Sequence, residues 1–268
     1  MTTVIGSVPY LNAKPLIRWF DTEEGKHSGY SVIEATPAML ASMLARGEIA
    51  VAMVSSFTAF LHPEYKIAPS VSISGQNEIK SVRAFSRLPF RKVETVAMDS
   101  SSLTSVALLR ILLAELYDSH PAAVNHAPDL HAMLDRADAA LLIGDNGMLA
   151  DGKGLRVLDL GEGWRRLTGK PFTYAAWIGP PKSVTREMCK TLIVAKEYGM
   201  TRLEEIAREE AIRLSCPVSV CRDYLTNVMD YDLEDEHHEA LALFHDKCRM
   251  HGLLSDLPAK SVPEIAAP

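Results

Sequence analysis

The stretch of this 268-residue chain best equipped for chemistry is Asp99-Ser100-Ser101-Ser102-Leu103-Thr104-Ser105. It follows an apolar run that reads as a strand over 95–98 and opens an apolar helix over 104–117, with five hydroxyls in the six residues 100–105. The free N–H groups and positive dipole end of a helix attract an anion, and Ser and Thr add donors without adding charge. One such hydroxyl would be enough to cap the helix. The surplus points to a bound anion and makes Ser100, Ser101, Ser102, Thr104 and Ser105 substrate-binding candidates. A glycine-rich phosphate loop ending in Lys does not occur, so a carboxylate fits as well as a phosphate.

Two further segments sit where strands hand over to helices. In Ser7-Val8-Pro9-Tyr10-Leu11-Asn12-Ala13-Lys14-Pro15-Leu16, Asn12 either caps the coming helix or turns an amide that can donate and accept toward a ligand. Lys14 reads as solvated. In Ile143-Gly144-Asp145-Asn146-Gly147, Asp145 either caps the next helix or accepts a hydrogen bond from a ligand hydroxyl. Ligands in α/β folds lie outside the carboxyl ends of strands. That rule adds Tyr10, Ser55, Ser56 and Gly144 to the ligand-facing candidates.

Other patterns carry less. His237-His238-Glu239 and His245-x-x-Cys248-x-x-His251 lack the His-Glu-x-x-His spacing, so no metal is expected. The runs Gly152-Lys153-Gly154 and Gly161-Glu162-Gly163 lack the context of a dinucleotide site, and the nucleophile elbow Gly-x-Ser-x-Gly does not occur. No cofactor is expected.

The elements that must position these residues alternate through the first two-thirds of the chain. Strands are expected at 4–8, 30–35, 49–54, 68–74, 79–85, 95–98, 124–126, 139–143 and 171–178. Thr36-Pro37 opens a helix as N-cap and first helical residue, and Gly47 stops it. The helix over 104–117 is apolar almost all round and belongs in an interior. From about 185 helices dominate, at 185–199, 201–214, 217–229 and 233–250, and the tail 260–268 is expected to fray. The expected fold is α/β and two-lobed, with mostly parallel sheets flanked by helices and a helical C-terminal segment. Crossings near 84–92 and 174–180 would give one lobe from 1–86 plus 178–268 and an inserted lobe from 87–177.

Composition narrows the partners. The chain is 47% hydrophobic and 23% charged, with a formal net charge of -6 and pI near 5.9, which argues against a nucleic-acid partner. The start carries no basic and apolar leader, and no run approaches the roughly 20 apolar residues of a membrane span. Cys189, Cys216, Cys221 and Cys248 lie far apart and read as reduced thiols. The expected location is cytoplasmic, without a membrane partner, and the sequence fixes no oligomeric state.

Four segments, in order, resemble the menaquinone-pathway chorismate dehydratases of the futalosine route. They are Tyr10-Leu11-Asn12-Ala13-Lys14-Pro15-Leu16, Asp99 through Leu109, Asp138-Ala139-Ala140-Leu141-Leu142-Ile143-Gly144-Asp145, and Asp159 through Phe172. The resemblance runs from about residue 4 to 178 and weakly beyond. It implies a fold like the type II periplasmic binding proteins and a cofactor-independent loss of water from chorismate, giving 3-enolpyruvoyl-benzoate. It also implies functional roles for Asn12 and for Ser81 of Glu78-Ile79-Lys80-Ser81-Val82-Arg83, and adds Phe172 to the substrate-binding candidates. One departure is Leu103, where the family usually has Arg. If that position contacts substrate, binding is altered; if it faces solvent, the change is neutral.

On this reading 100–105 hold one carboxylate, with Thr104 and Ser105 foremost. Ser81 and Asn12 position the other carboxylate or the departing hydroxyl. The substrate's own enolpyruvyl carboxylate takes the proton, with Asp145 as the fallback base. The competing readings are a small-carboxylate binding protein of the same fold and the related dihydroxynaphthoate synthase.

Overall fold

The computed structural model describes residues 2–99, 103–254 and 264–266. Its strands form two five-stranded sheets. The first has the order β2-β1-β3-β10-β4, built from β1 (Thr3–Ser7), β2 (Tyr30–Glu34), β3 (Ala52–Ser55), β4 (Lys66–Gly75) and β10 (Phe172–Gly179). The second has the order β7-β6-β8-β5-β9, built from β5 (Arg83–Ser86), β6 (Thr95–Asp99), β7 (Ala122–His126), β8 (Ala139–Leu142) and β9 (Arg156–Asp159).

Both sheets are mixed. β1 pairs in parallel with β2 and β3, and β6 with β7 and β8, whereas β10 and β5 run antiparallel to both of their neighbours. Parallel pairing therefore holds for half of each sheet rather than most of it. The antiparallel strands are the ones that follow a passage from the other sheet.

Those passages lie at 76–82 and 160–171, earlier than the expected 84–92 and 174–180. The apolar run from Ile79 looks like a strand, yet the Asp159 carboxylate accepts from the Ile79 and Lys80 N–H groups at 2.9 and 2.7 Å. Lys80 is also held at φ 59°. Pairing therefore begins only at Arg83, opposite Leu142 and Asp159. At the return, Phe-Thr-Tyr-Ala-Ala-Trp-Ile-Gly is one buried strand of the first sheet, which moves the expected boundaries at 86 and 177.

The helix Leu103–Tyr117 is buried along most of its length, as its composition requires. The helices Arg186–Met200, Leu203–Leu214, Val218–Asp223 and Asp235–Met250 follow β10. The expected helix over 217–229 breaks at Asp223 into a π-helical turn, Tyr224–Val228. Of the tail expected to fray, the described residues 264–266 are held: Ile265 bridges to Ile67, and the Ile67 N–H donates to the Glu264 carbonyl at 3.1 Å. Phe172 lies within an aromatic cluster with Trp164, Tyr174 and Phe244 and is 2% exposed. No helix among the described residues is long and apolar enough to cross a membrane.

Candidate active site

Where the parallel strands of the two sheets end, a cleft opens whose space, including the part open to solvent, is about 510 Å³. From the first sheet it takes Val8, Tyr10 and Asn12 after β1, Ser55 at the end of β3, Ile73 of β4 and Tyr174 of β10. Facing them are Val82, Ser105, Ile143 and Gly144. None of the described residues lining it is charged. Gly144 has φ +56°, and a Cβ there would stand 3.0 Å from the Tyr10 ring, so a side chain would both strain the backbone and press on that wall.

Five of the expected site residues therefore meet at one cleft: Tyr10, Asn12, Ser55, Ser105 and Gly144. Others stand behind it. Thr104 is 1% exposed and is engaged by the protein itself, its hydroxyl donating to the Tyr174 carbonyl at 3.2 Å and accepting from the Phe57 N–H at 3.3 Å. It also lies in hydrogen-bond contact with Ser55, whose Oγ accepts from the Thr104 N–H at 3.0 Å. Ser56 is fully buried and donates to the Thr173 carbonyl at 2.8 Å. The hydroxyls of Thr104 and Ser56 thus bind the start of the buried helix to the end of β3. Phe172, as noted, is core. Ser100, Ser101 and Ser102 lie outside the described residues. Leu103 begins the helix, is 43% exposed and does not line the cleft.

Asp145 is not a helix cap, and its carboxylate is held by the protein itself. Its Oδ1 accepts from the Leu11 N–H at 3.0 Å and its Oδ2 from Arg213 at 2.7 Å, and Arg213 also pairs with Glu210. It makes no side-chain cap on its own helix, Gly144–Leu149, and it does not line the cleft. The carboxylate is a tie between the turn that carries Asn12 and a C-terminal helix. Asp145→Asn keeps an acceptor for the Leu11 N–H and loses only the charge pair with half-exposed Arg213. It is expected to cost about 1 kcal/mol in urea unfolding and to leave turnover within about tenfold of the parent. A far larger loss of turnover in a normally folded protein would restore Asp145 as a base.

Asn12 and Ser81 are joined through a residue that no motif in the sequence singles out. The Asn12 Nδ2 donates to the Tyr224 hydroxyl at 3.3 Å, and that hydroxyl donates to the Ser81 Oγ at 2.8 Å. Tyr224 and Ser81 are 3% and 1% exposed. Burial pushes the Tyr224 phenol well above its ordinary value, so it stays protonated. The Asn12 Oδ1 is buried with no hydrogen-bond partner among the described residues. A buried orphan acceptor costs about 1–3 kcal/mol, and a ligand hydroxyl would remove that cost. Gly147 keeps Ser81 in place, since a Cβ there would come within 2.1 Å of the Ser81 carbonyl oxygen.

The His and Cys run of the last helix does not converge. His245 packs edge-on against Phe60, and His251 bonds Glu115 at 2.8 Å.

Comparison with known proteins places this arrangement. A family model described as menaquinone biosynthesis matches residues 3–250. A chorismate dehydratase of Thermus thermophilus is 30% identical over 264 residues, covering 90% of this chain and 93% of that protein. Among solved structures, a structural-genomics protein from Archaeoglobus fulgidus superposes with a TM-score of 0.77 at 15% identity, covering 94% of this chain and 98% of that one. The periplasmic aliphatic sulphonate binding protein of Escherichia coli gives 0.69 at 16% identity, covering 100% and 92%. The fold is that of the periplasmic binding proteins.

Proposed function

The chain belongs to the menaquinone-biosynthesis family, and on that premise we propose that it is a chorismate dehydratase, a hydro-lyase that removes water from chorismate to give 3-enolpyruvoyl-benzoate. Chorismate carries two carboxylates and a ring hydroxyl on a cyclohexadiene. Loss of the hydroxyl with the proton of the adjacent ring carbon makes the ring aromatic, which supplies the driving force. Such a reaction needs grip and orientation more than a strong nucleophile. A cleft lined by neutral groups suits it.

The observation that carries the reading is the buried, unpartnered Asn12 Oδ1 at the cleft wall. It can accept from the ring hydroxyl, while the Ser81 hydroxyl accepts from Tyr224 and keeps its own proton to donate. Ser55 and Ser105 supply hydroxyls on the side where the buried helix begins, the seat assigned to one carboxylate. The enolpyruvyl carboxylate of the substrate takes the ring proton, since no carboxylate of the described chain lines the cleft.

This reading sets the protein in the cytoplasm with chorismate as its small-molecule partner. The free thiols of Cys189, Cys216, Cys221 and Cys248 fit a reducing compartment. Incubation of the purified protein with chorismate is expected to convert the diene spectrum to that of a substituted benzoate. Binding of chorismate by calorimetry with no spectral change would instead leave a small-carboxylate binding protein.

A further inference from the structure

Resting on the chorismate reading, we infer that Tyr224 is a positioning residue for the dehydration, its hydroxyl, anchored on Ser81, setting which atom Asn12 presents to the substrate.

The argument is one of hydrogen-bond polarity. A neutral phenol has one proton to give. In the structure it goes to the Ser81 Oγ, so the Tyr224 oxygen can only accept from Asn12, and the amide must turn its Nδ2 inward. That choice leaves Oδ1 as the amide atom without a partner. It also leaves the Ser81 proton available in another direction. A reversed amide would take the phenol proton on Oδ1, and Ser81 would then have to donate to the phenol, so the unpartnered acceptor of Asn12 and the spare proton of Ser81 would be lost together. One hydroxyl thus fixes an acceptor on Asn12 and a donor on Ser81. Of the two, Asn12 lines the cleft and can grip the hydrogen of a departing hydroxyl, and Ser81 stands behind the lining as the anchor of the phenol.

The placement of Tyr224 supports a dedicated role. It begins the π-helical turn Tyr224–Val228, which ends the helix that starts at Val218. π-helical turns are rare and are found frequently at functional sites. The turn is anchored beside the crossing segment by the pairing of Asp223 with Lys80 at 2.8 Å, next to Ser81 in sequence.

The test compares kcat and KM for chorismate in the parent, Tyr224→Phe, Ser81→Ala and the double variant, with unfolding temperatures measured alongside. Tyr224→Phe keeps the buried ring and removes only the hydroxyl. It is expected to lower kcat by about 10- to 100-fold with KM within about threefold and an unchanged unfolding temperature. In the Ser81→Ala background the same change should cost little more, because groups acting as a unit are not additive. Parent-like kcat in Tyr224→Phe, or losses that simply multiply in the double variant, would overturn the inference. Should Tyr224→Phe not fold, Asn12→Asp reads the same polarity with Tyr224 intact, because a carboxylate can only accept from the phenol. Its kcat should fall, and a parent-like kcat overturns the role. Failure of the parent to convert chorismate would reject the reading and this inference together, whereas conversion by the parent with equal conversion by Tyr224→Phe rejects the inference alone.

Discussion

Asn12→Ala is expected to lower turnover of chorismate by about 10²- to 10³-fold, the range seen when one preorganised polar group of an active site is removed, with no matching loss of stability. The two effects have separate origins. The Asn12 Oδ1 is already buried without a partner, so its removal relieves a standing cost of about 1–3 kcal/mol. The lost bond from Nδ2 to Tyr224 is worth about 1 kcal/mol in return. Folding stability should therefore hold or rise, by up to about 2 kcal/mol. Asn12→Asp sharpens the test. A carboxylate cannot donate to Tyr224, so the phenol would turn its proton from Ser81 to residue 12, and activity should fall nearly as far as in the alanine variant. Steady-state rates together with urea unfolding measure both quantities. An alanine variant with parent-like turnover would remove Asn12 from the reaction.

The second large effect is expected at Asp159, and there the loss is structural. One oxygen accepts from the N–H groups of Ile79, Gly161 and Glu162 at 2.9, 2.9 and 3.2 Å, and the other from Lys80 at 2.7 Å. The first passage between the sheets and the helix of the second are therefore held by one buried carboxyl group. Burial raises its pKa above the ordinary value, partly offset by the N–H donors of Ile79, Glu162 and Lys80. Because the folded-state pKa is raised, the folded protein binds the proton more tightly than the unfolded chain. The stability from this protonation is present below the unfolded pKa and is lost as pH rises through the folded value. Asp159→Ala strands these donors and is expected to cost about 3–5 kcal/mol in urea unfolding. Asp159→Asn, which retains one acceptor oxygen, should fall between the two. Activity should suffer as well, since Ser81 directly follows the segment that Asp159 secures. A loss below about 1 kcal/mol in the alanine variant would mean that water replaces the carboxylate there.

The strand-end rule found Tyr10, Asn12, Ser55, Ser105 and Gly144 because side chains at those places face a cleft whatever the details of packing. It failed for Thr104 and Ser56 for the opposite reason: hydroxyl count cannot tell a donor offered to a ligand from one that joins a helix to a neighbouring strand. Asp145 was chosen for its position and turned out to bind Leu11 and Arg213. Tyr224 left no local trace, since its partners are 143 and 212 residues away in sequence. Asp159 did leave one. Asp159-Leu160-Gly161-Glu162 has the spacing of a helix N-terminus, an acidic cap followed three residues later by Glu, and weighing it would have revealed the helix Leu160–Thr168. The passages between sheets were misplaced because apolar runs do not record where hydrogen bonding stops.

The position of β10 between β3 and β4 has a consequence for the order in which the molecule can be built. The second sheet is continuous in the chain, so it can close as soon as residue 159 is made. The first cannot, because the strand that joins β3 to β4 begins at residue 172, nearly 100 residues after β4 ends. At about 5–20 residues per second, a chain under synthesis would carry β3 and β4 with open edges for roughly 5–20 s. Contacts of this sequence separation are formed late and at high entropic cost. The inserted half would then act as a folded template, on which β10 completes the first sheet and the segment bearing Tyr224 docks last.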